Sequence, residues 1–190
     1  MIFCGTAKIY YREEDYSYNF QNFKAHIMAK QKINRAFNEQ IKYELDSAYL
    51  YLSMASYCES INLNGFASWM KSQSEEEREH AMKFYDFLQE RGAEVELLAI
   101  DKPPKTFDSP VDVFQKALEN EKKVTALIHK LYKIALSEDD YPAQVMLHWF
   151  IEEQVEEENA ATEILEQLKL VGDQGAALLM MDRKLAERNT

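Results

Sequence analysis

Four stretches of this chain read as amphipathic helical stripes, and each stripe has a carboxylate set among its apolar residues. In the first, Ile33, Phe37, Ile41, Glu44, Ala48, Tyr51 and Ala55 follow one another at three- and four-residue steps. The second reads Phe66, Met70, Gln73, Glu77, His80, Phe84, Phe87, and the third Phe114, Leu118, Glu121, Thr125, Ile128. The fourth gives Phe150, Gln154, Glu157, Ala161, Ile164 and Leu168. This spacing is one face of an α-helix, so the four segments are expected to pack by these faces. Charged side chains almost never face a core unless something neutralises them. Unpaired, each would cost roughly several kcal/mol, which a small domain cannot absorb several times over. The helices must therefore converge so that their acids share a cation.

Composition narrows the rest. A chain of 190 residues is long enough for one ordinary domain with a real core. Only five glycines and four prolines interrupt a sequence rich in Glu, Lys, Leu and Ala, which favours an all-α fold. A net charge of −11 argues against nucleic acid and anionic membranes as partners and suits a protein that attracts cations. Cys4 and Cys58 sit in no metal-binding or disulfide pattern, so a reducing, cytoplasmic location is expected. No apolar run reaches membrane-spanning length, and the N-terminus lacks a basic segment followed by an apolar one.

Residues 1–27 differ from the remainder. They hold seven of the 23 aromatic residues and show no sustained helical period. Met28 precedes the strongly helical sequence. The segment reads either as translated sequence upstream of a start at Met28 or as an extension decorating an assembly surface, poorly packed in both cases, with the domain proper at 28–190. Helices are expected at about Gln31 to Glu59, Gly65 to Glu90, Ser109 to Leu136, Asp140 to Leu170 and, shorter, Ala176 to Glu187. Ser109-Pro110 and Asp140 with Pro142 are helix starts, a capping side chain followed by proline in the first turn. The first two helices join by a short turn, as do the third and fourth. Residues 92–108 are long enough to cross the bundle, which makes a four-helix bundle with one long crossover.

The spacing of Glu77 and His80, three residues apart, turns both side chains into one pocket. A carboxylate with an imidazole suits a transition metal better than calcium. A lone ExxH is a weak signal. Together with Glu44, Glu121 and Glu157 on three other helices it becomes a specific one. The ligand count fits two metals bridged by Glu77, with Glu44 and His80 on one side and Glu121 and Glu157 on the other. Oxygen-rich ligation with one imidazole favours iron.

These segments, NEQIKYELDSAYLYLSMASY (38–57), EEEREHAMKFYDFL (75–88), the Glu121 region and HWFIEEQVEEE (148–158), resemble those of bacterial non-haem ferritins, and the likeness covers residues 28–190. The resemblance implies a ferritin-like bundle whose short fifth helix lines a four-fold axis in a shell of twenty-four subunits. It implies a ferroxidase centre with Glu44, Glu77 and His80 at the first iron and Glu77, Glu121 and Glu157 at the second. Gln154 would lie close, and Tyr51 would be the aromatic linked to electron transfer. Glu76, Glu153 and Glu156 would join Glu157 in a third iron site. Fe(II) with dioxygen or hydrogen peroxide would be the substrates, and a ferric oxide mineral the product.

Departures from neighbouring families carry information too. Bacterioferritins and rubrerythrins have a second ExxH on the fourth helix, where this chain has Ala160. Arg78 stands where bacterioferritins place a haem-ligating methionine, so no haem is expected. Gln144 and Leu147 occupy the positions of the two carboxylates that line the three-fold pore of animal ferritins. Of the remaining acids, Glu75, Glu79, Glu152 and Glu158 read as solvated surface, and Trp149 as packing. Two other readings stay open: a di-iron oxidoreductase that retains its metals as a cofactor, and a structural bundle without chemistry.

Overall fold

Five helices account for nearly all of the regular structure: α1 Glu13–Ser60, α2 Asn64–Glu90, α3 Pro110–Ser137, α4 Tyr141–Val171 and α5 Gly175–Ala186. The computed structural model describes residues 13–172 and 174–187, with side chains from Lys32 onward. The described residues form an all-α four-helix bundle with a short fifth helix. Four of the five helices fall within a few residues of the expected bounds. The exception is α1, which starts at Glu13 rather than near Gln31. No glycine or proline stands between Glu13 and Ser60, so nothing in the backbone stops the helix. The expected loose packing of residues 1–27 lies outside the described residues.

The turns follow local chemistry. Asn62 takes a left-handed conformation (φ 60°) and reverses the chain between α1 and α2. Gly92 (φ 65°) ends α2 in the same way. Ser109 accepts a hydrogen bond from the Asp112 amide and Asp140 one from the Ala143 amide, each capping the helix that its proline opens.

The start of α2 is capped differently. Leu63, at its cap position, supplies no side-chain acceptor. Instead Oδ1 of Asp182, on α5, accepts from the Gly65 amide at 2.7 Å and from the Phe66 amide at 3.0 Å. The two elements approach so closely that a Cβ on residue 65 would lie 1.6 Å from the Asp182 carbonyl oxygen. Met181 and Leu185 bury the other side of α5. Removing the cap with Asp182→Ala is expected to cost about 1 kcal/mol. Gly65→Ala should cost more, because the new methyl group must push α5 away. Thermal melts, with limited proteolysis of the C-terminal helix, would check the order; a Gly65→Ala protein as stable as the parent would contradict the close contact.

Residues 91–109 cross the bundle without regular structure and are stitched to α1. The Asn38 side chain donates to the Glu94 carbonyl and accepts from the Glu96 amide, at 3.0 and 2.9 Å. Further on, Asp46 accepts from the Asp101 amide at 2.7 Å, and Ser53 donates to the Pro104 carbonyl at 2.5 Å. Asn38, Asp46 and Ser53 recur about every two turns, so one edge of α1 holds the crossover along its length.

The interior is divided. One apolar cluster gathers Ile33, Phe37, Phe84, Ile128 and Phe150 with their neighbours. A second gathers Tyr51, Phe66, Trp69, Phe114 and Leu165, with Met181 and Leu185 from α5. Between the two lie the buried polar residues of the four long helices.

Candidate metal centre

Every stripe acid is where its period places it. Glu44 (α1), Glu77 (α2), Glu121 (α3) and Glu157 (α4) are all buried, as are His80, Gln154 and Tyr51. Glu44, Glu77 and His80 can bring one ligand atom each to within 4.8 Å of one another. Oε2 of Glu44 and Oε2 of Glu77 are buried with no hydrogen-bond partner, among the few such side-chain atoms of the described residues. A native fold rarely leaves acceptors in that condition, because each costs roughly 1–3 kcal/mol or more. A cation gives both of them a partner.

Several of the other carboxylate oxygens have donors. Gln40 Nε2 donates to Glu44 Oε1 at 2.9 Å, and Gln73 Nε2 to Glu157 Oε2 at 2.8 Å. Glu121 accepts from the Tyr51 hydroxyl at Oε1, and from Gln154 Nε2 at Oε2, 3.3 Å away. The Gln154 amide also reaches the Glu121 carbonyl at 3.2 Å, which ties α4 to α3 beside the pocket.

Electrostatics show the strain of gathering these acids. Burial pushes Glu44 up to about 7, opposed by its contact with the Glu77 carboxyl and by the Gln40 hydrogen bond, with Glu121's charge adding a little to the rise. Burial also carries Glu77 well above the usual carboxylate range, reinforced by the charges of Glu121, Glu44 and Glu157. Glu121 is raised too, chiefly by burial, while the bonds from Tyr51 and Gln154 act against it. Burial holds His80 down to about 4, helped by Lys83, so its imidazole is neutral and keeps a lone pair for a metal. The Tyr51 hydroxyl is pushed well up by burial and by Glu121. Trp149 and Phe150 set their rings edge-on to His80, at centroid separations of 5.4 and 5.8 Å.

A second acidic group adjoins this one. Glu76, Glu153 and Glu156 line a pocket of about 330 Å³ on the α2–α4 side, and the pocket includes Glu157. Burial, with Glu156 beside it, raises Glu153. The four residues expected to share a third site therefore stand together, with Glu157 common to both groups.

Some assignments need revision. Glu158 is half-buried and accepts from the Thr125 hydroxyl at 2.6 Å, so it is not simply solvated surface. Trp149 is 37% exposed and stacks under Lys83 Nζ, 4.1 Å from the ring centre, besides touching His80. Leu147 is fully buried in the core, and Gln144 donates to the Ala135 carbonyl. Neither offers a carboxylate ligand. Gln40 carries no mark in the stripe pattern because it stands one residue before Ile41; its place one turn ahead of Glu44 is the signal that could have found it.

A four-helix bundle with one crossover and a carboxylate pocket at mid-height defines a protein of the ferritin-like class. Comparison with known proteins agrees. The Ferritin-like domain model matches residues 34–171. A bacterial non-heme ferritin of Bacteroides fragilis is 40% identical over 161 residues, spanning 85% of this chain and all of that protein. One from Staphylococcus aureus is 34% identical, over 85% of this chain and 97% of its own. Among solved structures, an open-pore ferritin of the archaeon Archaeoglobus fulgidus is 48% identical with a TM-score of 0.81, covering 82% of this chain and 96% of that one. A closed form of the A. fulgidus ferritin, engineered by site-directed mutagenesis, superposes equally well. The chain belongs to the ferritin family.

Proposed function

We propose that this protein stores iron, and that it is a ferroxidase which takes up Fe(II), oxidises it at the four-helix pocket and passes Fe(III) to a mineral inside a shell of its own copies. The carrying observation is the pair of buried, partnerless oxygens of Glu44 and Glu77 beside a neutral His80. Two Fe(II) ions would sit there as substrate, the first on Glu44, Glu77 and His80 and the second on Glu77, Glu121 and Glu157. They neutralise acids that cannot otherwise all ionise. Each pair of ions gives up two electrons, which reduce dioxygen to hydrogen peroxide or hydrogen peroxide to water. Tyr51, bonded to Glu121, stands at the pocket wall to relay an electron.

Ligation by carboxylates and a single imidazole keeps the ions exchangeable, which suits a substrate that must leave. Glu76, Glu153 and Glu156 supply the next carboxylates on the way out. Charge supports that direction. The sequences of α2 and α4 together hold thirteen acidic residues against four basic ones, whereas α3 holds three against five. The α2–α4 side would face the cavity of a shell, of twenty-four copies by family likeness, in the cytoplasm.

Aerobic loading with Fe(II), followed by size-exclusion chromatography tracking iron and protein together, tests this reading. Iron far beyond two ions per subunit, co-eluting with a large assembly, is the expected result. Iron stopping near two per subunit on a small oligomer would mean a retained di-iron cofactor and would overturn storage.

A further inference from the structure

We propose that Gln40 and Gln73 are positioning residues, each serving one of the two metal positions: Gln40 through Glu44, and Gln73 through Glu157. The inference rests on the two-metal reading above.

Both amides are out of solvent, Gln40 at 2% and Gln73 at 0% exposure. Ordering a glutamine costs side-chain entropy, and burying its amide costs more unless the amide is bonded. Gln73 occupies a stripe position between Met70 and Glu77 where an apolar residue would pack at less cost. What distinguishes both residues is their acceptor. Gln40 donates to Glu44 Oε1, and the other oxygen, Oε2, has no hydrogen-bond partner. The amide thus decides which oxygen of Glu44 remains for a metal. Gln73 reaches from α2 across to α4 and donates to Glu157 Oε2 at 2.8 Å.

An amide suits this task better than a basic side chain. It fixes a carboxylate without adding a positive charge that would repel the incoming cation. Glu121 is held by a separate pair, Tyr51 and Gln154. Glu77 differs, since its Oε2 has no such donor, as befits a carboxylate placed to serve both ions. Gln40 on α1 therefore serves the Glu44 side of the pocket, and Gln73 on α2 serves the Glu157 side, where Gln154 separately holds Glu121.

Residues that orient metal ligands typically contribute about 10–100-fold in affinity. The test is an anaerobic Co(II) titration of the assembled protein, read by the visible absorption of the bound ion. The parent should bind two equivalents per subunit. Gln40→Met should weaken, by about 10–100-fold, the same equivalent that His80→Ala removes, and leave the other unchanged. Gln73→Met should do the converse, matching Glu121→Ala. Methionine keeps the length of glutamine, and a Gln→Leu pair provides a second set should either variant fail to assemble. Equal weakening of both equivalents, or none in either variant, would overturn the inference while leaving the two-metal centre standing. A parent that binds no pair of Co(II) ions would instead remove the centre itself, and the inference with it.

Discussion

Replacing Glu77 and His80 by alanine is expected to slow the fast phase of Fe(II) oxidation by about 100- to 1000-fold. That is roughly 3–4 kcal/mol of transition-state stabilisation, the scale of losing a metal-held reactant geometry. In the proposed centre Glu77 would serve both ions, and His80, grouped with Glu44 and Glu77, would supply the one imidazole. Assembly should survive, because the double substitution removes a buried acid that is hard to ionise and a neutral ring. Stopped-flow absorbance at the onset of ferric formation, beside size-exclusion of the same sample, gives both readouts. A variant that oxidises Fe(II) at the parent's rate would place the chemistry elsewhere.

The second large effect concerns the metal-free protein and pH. Glu44 titrates near 7 in the fold against an ordinary value near 4.5, so between those values the native state holds more protons than the unfolded chain. Its contribution to stability is therefore lost as pH rises through that window, by an amount on the order of 3 kcal/mol. Glu77, raised well above the usual range, acts in the same sense and extends the loss to higher pH. His80 acts oppositely. Held down to about 4 against an ordinary 6.5, it favours the fold increasingly as pH climbs across that interval and adds nothing further above it. The two tendencies oppose one another below pH 6.5. Above it only the carboxylates remain, and the metal-free protein should lose stability towards pH 8.

Glu44→Gln should melt higher than the parent at pH 8 when both are stripped of metal, and the gap should narrow towards pH 5. Saturating Zn(II), which does not oxidise, should raise the parent's midpoint and abolish the variant's advantage. Binding at 100 to 1000 times the dissociation constant is worth about 3–4 kcal/mol. Calorimetry at one fixed protein concentration decides the matter. A parent that melts higher than Glu44→Gln at pH 8 without metal would refute the electrostatic reading of the pocket.

The stripes could be read from sequence because a core-facing acid is rare and because each stripe runs long enough for its period to show. Glu44, Glu77, Glu121 and Glu157 needed no partner information to be singled out, and all are buried. Other features depend on contacts that no local pattern encodes. Asp182 caps α2 from the far end of the chain, and Gly65 is a glycine for the sake of that contact. Gln40 lies beside the stripe rather than in it. Glu158 stands in a run of three acids that reads as surface, and only the fold brings Thr125 against it. The extra length of α1 was hidden differently. Aromatic and charged residues without a stripe conceal a helix, whereas the lack of glycine and proline over the same stretch permits one.

The pocket takes one carboxylate from each of the four long helices, at residues 44, 77, 121 and 157. A chain still being made on the ribosome cannot complete that set until its fourth helix has emerged. Until then its acids are scattered and hydrated, and they hold divalent ions only loosely. On the proposed function, Fe(II) oxidation would thus be withheld from the nascent polypeptide until its fourth helix has folded against the other three.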